Sequence, residues 1–336
     1  MFLTEKTVVH PEWQALLQAH GLDTVRGVYE SSAGRRVASS GTTEVREIEL
    51  TRTPKSDGPE RSGAGVPPVG AGVSPANITV RGRDALERRR DACATTGQRI
   101  LLRSSGLTGV DLAQPRVIFI KRYWFPSFAS RWNGALRGTF LGRSKVRREF
   151  DNLAWLRAHG FHAPLPVAWG EERSGGWLVR SFLISEGIPQ PLALSNFIRD
   201  TLPSRPAATR RELIERLAAL TRRLHEQRFV HHDLFWRNII LTGESLERFA
   251  LIDAHKGRVW PAGAEQRSRA ADLAALDAPA PWFFRRTERL RFFLLYRGHA
   301  RLTPEDKALL RATLRLAEPM RERQLARVTG VKRART

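Results

Sequence analysis

Residues 230–244 read VHHDLFWRNIILTGE, an apolar stretch that nonetheless holds His231, Asp233 and Asn238 in an H-x-D-x-x-x-x-N arrangement. Fifteen residues after Asn238, the apolar run Phe249–Asp253 ends as LIDAH on a second carboxylate, Asp253. Carboxylates and an amide at the ends of buried runs are the hard oxygen donors that Mg2+ takes. Upstream, VIFIKRY (117–123) is a β-branched and aromatic run, hence a buried strand that carries Lys121. After it, residues 144–159 read as a helix with Val146, Phe150, Leu153 and Leu156 on one face, Ser144 to cap its start, Gly160 to end it and Glu149 along it.

In this order, a strand lysine, a helix glutamate, the H-x-D and Asn loop and a strand-end aspartate resemble the signature set of the protein-kinase-like fold. Phosphoryl transfer needs positioning and charge neutralisation more than covalent chemistry, which explains the residue types. Asp233 suits a carboxylate that orients an acceptor hydroxyl and takes its proton. Asn238 and Asp253 suit the metal, and Lys121 suits the α- and β-phosphates of ATP, with Glu149 to position it. The runs FIKRYW, SKVRREFDNLAWLRAHGFHAPLPVAWG, FVHHDLFWRNIIL, LIDAHKGRV and AADLAAL are further similar to the lipopolysaccharide kinase family, the Kdo and heptose kinases of the inner core. That resemblance covers about residues 117–300, and more weakly 20–50. It implies ATP- and Mg2+-dependent phosphorylation of a sugar hydroxyl on a lipopolysaccharide-type glycolipid at the cytoplasmic face of the inner membrane. It also implies that Asp272 in AADLAAL braces the catalytic loop; the other reading of Asp272 is a helix cap or surface residue.

The pattern has departures. His232 stands where H-R-D has its arginine, which argues against regulation by an activation-loop phosphate. Asp253-Ala254-His255 replaces D-F-G, keeping the metal ligand and losing the switching Phe. No A-P-E follows, which argues against a protein substrate. There is no G-x-G-x-x-G. Backbone N–H groups near Ser39, Ser40 and Gly41 offer a phosphate cradle, with an ordinary hairpin turn as the alternative. A hinge at residues 185–187 would place Glu186 main-chain groups against adenine. His231 reads as structural, bonded to the strand that bears Asp253.

A strand-rich front and a helical back give an α+β, two-lobed expectation. Residues 1–50 and 117–184 form the N-lobe, 185–318 the C-lobe, and 319–336 a frayed basic tail. In the first stretch, residues 11–19 read as a helix, 25–30 and 44–50 as strands, and 33–43 as a Gly/Ser-rich link. Further strands are expected at 176–185 and 249–253, and helices at 207–228, 266–275, 285–296 and 304–318. Residues 51–116 contain no Phe, Trp or Tyr and include GAGVPPVGAGVSP; this composition reads as a mostly disordered insertion, with 86–94 a transient helix. The single cysteine, Cys93, excludes an intramolecular disulfide or a Cys-based zinc site. Neither a secretory signal nor an apolar run of about 18 residues is present, so a cytoplasmic protein, at most peripheral to the membrane, is expected.

The formal charge is +22, with 49 of the 56 basic residues arginine and only 7 lysine. One reading of that arginine skew is codon composition, without a functional meaning. No RRM, KH or zinc-finger pattern supports a nucleic-acid partner. The informative share is residues 121–148, with eight basic residues, no acidic one and six aromatics. Such a stretch suits an anionic lipid interface or the phosphates and carboxylates of a sugar acid, with a solvated loop and helix start holding some buried aromatics as the alternative. Residues 282–301 repeat the theme with WFFRRTERLRFFLLYR. Two other readings stay open on the residues alone. One is a protein or small-molecule kinase of the same fold. The other is a pseudokinase or a basic nucleic-acid- or membrane-binding module. The sequence does not define an oligomeric state.

Overall fold

The computed structural model describes residues 3–40, 42–51, 116–127, 132, 140–263 and 266–329. The N-lobe is a six-stranded antiparallel sheet. In chain order its parts are β1 (Leu3–Val9), a 3-10 turn (Pro11–Trp13), α1 (Gln14–Ala19), α2 (Val25–Glu30), β2 (Arg35–Ser40), β3 (Thr43–Leu50), β4 (Arg116–Trp124), α3 (Lys145–Ala158), β5 (Pro166–Ser174) and β6 (Trp177–Glu186). The strand order is β1-β5-β6-β4-β3-β2. β4 is therefore central, and Lys121 on it pairs with Val45 of β3 and Leu183 of β6. A lysine on a strand flanked on both sides is held at its Cα by two ladders of hydrogen bonds.

Alternation along β4 splits the core into two faces. Ile118 and Ile120 pack with Phe182 and Ile184 under Trp13, Leu17, Val25 and Val28 of the N-terminal helices. Tyr123, Leu183 and Trp169 face the other way and pack against Val146, Phe150 and Leu153 of α3. That second face carries Lys121, so α3 and its Glu149 lie over the lysine. The start of α3 is capped as its sequence suggests: the Ser144 hydroxyl accepts from the Arg147 amide at 3.2 Å. Gly160, at φ +73°, ends it.

The C-lobe contains β7 (Pro191–Ala193), α4 (Ala207–Glu226), β8 (Phe229–Val230), β9 (Ile239–Thr242), β10 (Phe249–Leu251), β11 (Arg258–Val259), α5 (Gln266–Asp277), α6 (Arg286–Arg297) and α7 (Pro304–Thr329). Its small strands position the chemistry. β9 pairs with β10 and β8 with β11, each antiparallel. The loop from β8 to β9 bears His231, Asp233 and Asn238, and the loop from β10 to β11 bears Asp253. Both ends of one loop are thereby tied to both ends of the other, so the two aspartates lie on adjacent segments.

The α+β, two-lobed expectation matches the structure, but some elements differ. Residues 25–30 form helix α2, not a strand. Val25 and Val28 are three apart on one buried face, and the Thr24 hydroxyl caps the helix by accepting from the Gly27 amide at 3.0 Å. These outweigh the β preference of the valines. The link at 33–43 contains β2, whose six residues are all exposed. β1 and β5 join the sheet although neither was anticipated. α7 continues past residue 318 to Thr329, so the expected frayed tail begins as helix. Gly41, the expected transient helix at 86–94 and Cys93 lie outside the described residues, as does the 51–116 insertion apart from its two end residues.

Candidate active site

Lys121 and Glu149 form the first contact of the site. Lys121 Nζ donates to Glu149 Oε1 at 2.6 Å and to Asp253 Oδ1 at 3.4 Å. The glutamate side chain is 1% exposed. Burial alone would lower the lysine pKa, but the charges of Glu149 and Asp253 outweigh it and hold the ammonium above its ordinary range. One cation thus offsets two carboxylates that would otherwise repel each other.

The segment that carries His231, Asp233 and Asn238 is held by buried polar groups. Asp272, on α5 and fully buried, accepts from the His231 and His232 amides, each at 2.7 Å, and lies 3.3 Å from His225 Nε2. His225 Nδ1 in turn lies 2.8 Å from the Tyr296 hydroxyl. His232 has φ +59° and Asp253 has φ +57°. A left-handed conformation at a non-glycine residue costs about 1–3 kcal/mol and persists only where its surroundings fix it. At His232 the fixing group is the Asp272 carboxylate.

Past this bend, Asp233 is bound on both oxygens. Asn238 Nδ2 donates to its main-chain carbonyl at 2.8 Å and to Oδ2 at 3.1 Å. Lys256 Nζ donates to Oδ1 at 3.0 Å, and the Arg237 guanidinium lies 3.6 Å from Oδ2. Asp253 Oδ1 receives His255 Nδ1 at 3.1 Å besides Lys121. Burial would raise the Asp253 pKa, yet the His255 hydrogen bond and the charges of Lys121, His255 and Lys145 hold it well below the carboxylate range. Asn152 on α3 closes the ring: its Nδ2 donates to the Ala254 and Gly257 carbonyls at 2.7 and 2.8 Å. The helix bearing Glu149 is therefore fastened to the segment bearing Asp253.

A family model described as lipopolysaccharide kinase (Kdo/WaaP) matches residues 112–292, more than half of the 336-residue chain. The protein belongs to the lipopolysaccharide kinase (Kdo/WaaP) family. It is accordingly an ATP-dependent kinase. A comparison with curated proteins gives no match. Among solved structures, WaaP in complex with acyl carrier protein is similar in fold, with a TM-score of 0.56 at 19% identity, covering 94% of this chain and 99% of that one.

A kinase of the Kdo/WaaP family works with ATP and a divalent metal, and the donors present fit such an ion. Both acceptors facing Asn238 are oxygens of Asp233, so its NH2 must point at them and its Oδ1 is left for a cation. Asp253 uses Oδ1 for Lys121 and His255, leaving Oδ2. Glu149 Oε2 is buried and has no hydrogen-bond partner among the described residues. Glu149, Asp253 and His255 bring ligand atoms within 4.8 Å of one another, but the Lys121 ammonium already bridges the two carboxylates. Asp253 Oδ2 and Asn238 Oδ1 are free oxygens on a pair that no ammonium bridges.

The residues expected on the nucleotide side are less gathered. Val45 is level with Lys121 and with Ala38, so Ser39 and Ser40 lie one and two residues further along the outer strand, exposed at a hairpin tip. The Glu186 side chain pairs with Arg116 at 2.5 Å, its amide donates to the Leu165 carbonyl at 2.9 Å, and the Gly187 amide donates to Val117 at 2.8 Å. The Glu186 amide is thus committed within the N-lobe. The contacts of Lys256, Arg237, His255 and Asn152 were not legible from motif spacing. The rarity of lysine was the one available pointer to Lys256.

His231 lies where the sequence reading put it. It is fully buried, with Nε2 3.1 Å from the Ile252 carbonyl and Nδ1 without a partner among the described residues. The carbonyl requires the proton on Nε2. Burial pushes the ring's pKa down, outweighing the attraction of Asp272 and Asp233; His232 shifts the same way for the same first cause. The unfolded imidazoles take up protons at pH ~6.5 that the folded rings resist. Stability should therefore be full above that pH and decline as pH falls below it, by at most about 1.4 kcal/mol per pH unit per histidine. Urea unfolding of wild type and His231→Gln between pH 5 and 8 checks this. A slope unchanged by the substitution would remove His231 as a source.

Proposed function

We propose that the protein transfers the γ-phosphoryl group of ATP to a sugar hydroxyl of a lipopolysaccharide-type glycolipid, a Kdo or heptose, using Mg2+. The observation that carries this reading is the unbroken run of contacts from Glu149 through Lys121 to Asp253, with Asp233 and Asn238 on the adjoining loop. The family supplies the glycolipid class.

In this reading Lys121, positioned by Glu149, holds the α- and β-phosphates. Asp233 orients the acceptor hydroxyl and takes its proton as the phosphoryl group arrives. Asn238 and Asp253 would hold Mg2+, which when bound offsets charge on the nucleotide phosphates. Ser39 and Ser40 would cover the phosphates from the end of β2, with Gly41 next in sequence, and the Glu186 carbonyl would face adenine. Asp272 keeps the catalytic loop in its bent form. The absence of A-P-E favours a glycan over a protein acceptor.

The membrane side of the reading rests on the acid-free 121–148 stretch. Trp132 is 63% exposed and Leu141 60%, and Phe140 and Trp177 ring centroids lie 4.4 Å apart beside them. Arg143 is exposed on the same stretch. Exposed aromatics with arginines suit an anionic glycolipid surface. No helix among the described residues is long and apolar enough to cross a membrane.

The test is phosphate transfer from labelled ATP to purified lipopolysaccharide with its core phosphates removed, against protein and aminoglycoside acceptors. Transfer to the glycolipid is expected, and Asp233→Ala should reduce it about 1,000-fold while leaving the thermal shift with Mg·ATP in place. Transfer to a protein or aminoglycoside only would replace the substrate assignment, and full transfer by Asp233→Ala would remove Asp233 as base.

A further inference from the structure

Asp233 is contacted by a cation from outside its own motif. Arg237 is a neighbour on the same turn, four residues on, with its guanidinium 4.3 Å from the Phe235 ring. Lys256 comes instead from the segment that follows Asp253, so one ammonium joins the proton-accepting loop to the metal-holding loop. Its backbone is fixed on both flanks. Asn152 binds the Ala254 and Gly257 carbonyls, and the Gly257 amide donates to Ala254 at 2.9 Å. The Lys256 side chain is 52% exposed. An ammonium has three protons and Asp233 uses one, which leaves two for a ligand.

Composition gives an independent pointer. The chain has 7 lysines against 49 arginines, yet three of those lysines, Lys121, Lys145 and Lys256, gather here. Lys145 Nζ lies 4.8 Å from the Tyr123 ring centroid and feels the charges of Asp253 and Glu149. Arginine is a rigid fork suited to a fixed carboxylate or phosphate, whereas lysine is a compact point charge on a flexible stem. Lysine therefore suits a single oxygen that changes position during the reaction.

The charge balance of the transfer shows where such a lysine is needed. The moving phosphoryl spreads its charge over three equatorial oxygens. Lys121 is engaged by Glu149 and Asp253, on the donor side. On the acceptor side stands the Asp233 carboxylate, which would repel the incoming group unless a cation screens it.

We propose that Lys256 is a catalytic residue that binds an equatorial oxygen of the γ-phosphoryl group while holding Asp233. This rests on the phosphotransferase reading above. The bond from phosphorus to the β–γ bridging oxygen breaks, and its electron pair leaves with ADP. The acceptor oxygen forms the new bond to phosphorus, and its proton passes to Asp233 and then to solvent. Lys256 neither gains nor loses a proton.

The experiment uses the full-length protein, with Lys256→Met and Lys256→Arg, in two assays. In steady-state transfer, Lys256→Met should lower kcat about 100-fold with KM for the acceptor nearly unchanged, and Lys256→Arg should recover about a tenth of wild-type kcat. In thermal unfolding, Mg·ADP with fluoroaluminate, a mimic of the moving phosphoryl group, should stabilise wild type beyond Mg·ADP alone. That increment should vanish in Lys256→Met and survive in part in Lys256→Arg, with the unliganded melting temperature unchanged. A raised acceptor KM with kcat intact would make Lys256 an acceptor-binding residue and overturn the proposal. A wild-type-like kcat and fluoroaluminate increment in Lys256→Met would reduce it to a surface ion pair. The fluoroaluminate assay needs no acceptor, so a wrong glycolipid assignment shows only in the first assay and a wrong Lys256 assignment shows in both.

Discussion

Asp253→Ala is expected to abolish phosphate transfer, by about 1,000- to 10,000-fold, and to remove the divalent dependence of ATP binding. A bound divalent ion contributes several kcal/mol of charge stabilisation to phosphoryl transfer, and each 1.4 kcal/mol is about a factor of ten. In the proposed reading Asp253 holds that ion, since Lys121 and His255 engage Oδ1 and leave Oδ2. Its pKa is held well below the usual range, so it stays ionised through the working pH range and its loss cannot be imitated by mild acid. The substitution also changes Lys121, which keeps Glu149 at 2.6 Å as its partner. Asp253→Asn separates the charge from the fold, since Asn also tolerates the left-handed conformation seen here at φ +57°. Thermal unfolding with ATP, with and without Mg2+, reads binding, and labelled-phosphate transfer reads chemistry. Both variants should fold, bind ATP weakly and show no added shift from Mg2+. A variant that keeps a Mg2+-dependent shift and transfers phosphate at the normal rate would remove Asp253 from the metal site.

Five of the nine residues expected at the site, Lys121, Glu149, Asp233, Asn238 and Asp253, lie in or beside elements with a clear apolar pattern. Lys121 lies within a buried strand, Glu149 on a helix with a clear apolar face, and Asp233 and Asp253 beside short buried strands. Local pattern therefore located them, and the pairing of β8 with β11 and β9 with β10 brought two of them together. The elements that escaped lacked that pattern. β2 is exposed along its whole length and β1 nearly so, which leaves no apolar alternation to read. β5 is almost wholly buried yet contains Gly170, Glu171, Glu172 and Arg173. Its charges are neutralised by contacts such as Arg180 to Glu172 at 2.7 Å and Arg173 to Glu171 at 3.2 Å, which no one-strand pattern reveals. Lys256, Arg237 and Asn152 escaped for a different reason: their roles depend on two loops and a helix crossing in space. The basic charge divides along the same lines. Many arginines, such as Arg180, Arg289 and Arg297, are engaged in ion pairs with Glu172, Asp277 and Asp306, outside the Lys121–Asp253 cluster. Three of the seven lysines, Lys121, Lys145 and Lys256, lie at the site.

Asp272→Ala is expected to cost about 4 kcal/mol of folding stability and to reduce transfer at least 100-fold although Asp272 touches no reacting group. The carboxylate is fully buried and accepts two main-chain amides at 2.7 Å and the His225 ring at 3.3 Å. Alanine leaves two buried N–H groups without acceptors, each costing about 1–3 kcal/mol, besides the bond to His225. A protein of this size should melt roughly 6 °C lower. The loss of activity follows from geometry. His232 holds φ +59° because its amide is fastened, and Asp233 is the next residue. Once that amide is released, the left-handed bend relaxes and the Asp233 carboxylate moves, and a displacement of about 1 Å can cost about 100-fold in rate. Asp272→Asn retains one acceptor oxygen but can satisfy fewer of the three donors, so its stability and activity should fall between wild type and alanine. Assayed at a temperature where the variants remain folded, kcat should drop while the thermal shift with Mg·ATP persists, because Lys121, Glu149 and Asp253 are held by other contacts. A variant that melts normally, or one that is destabilised yet keeps full kcat, would show that the bend is set by the strands at either end of the loop and not by Asp272.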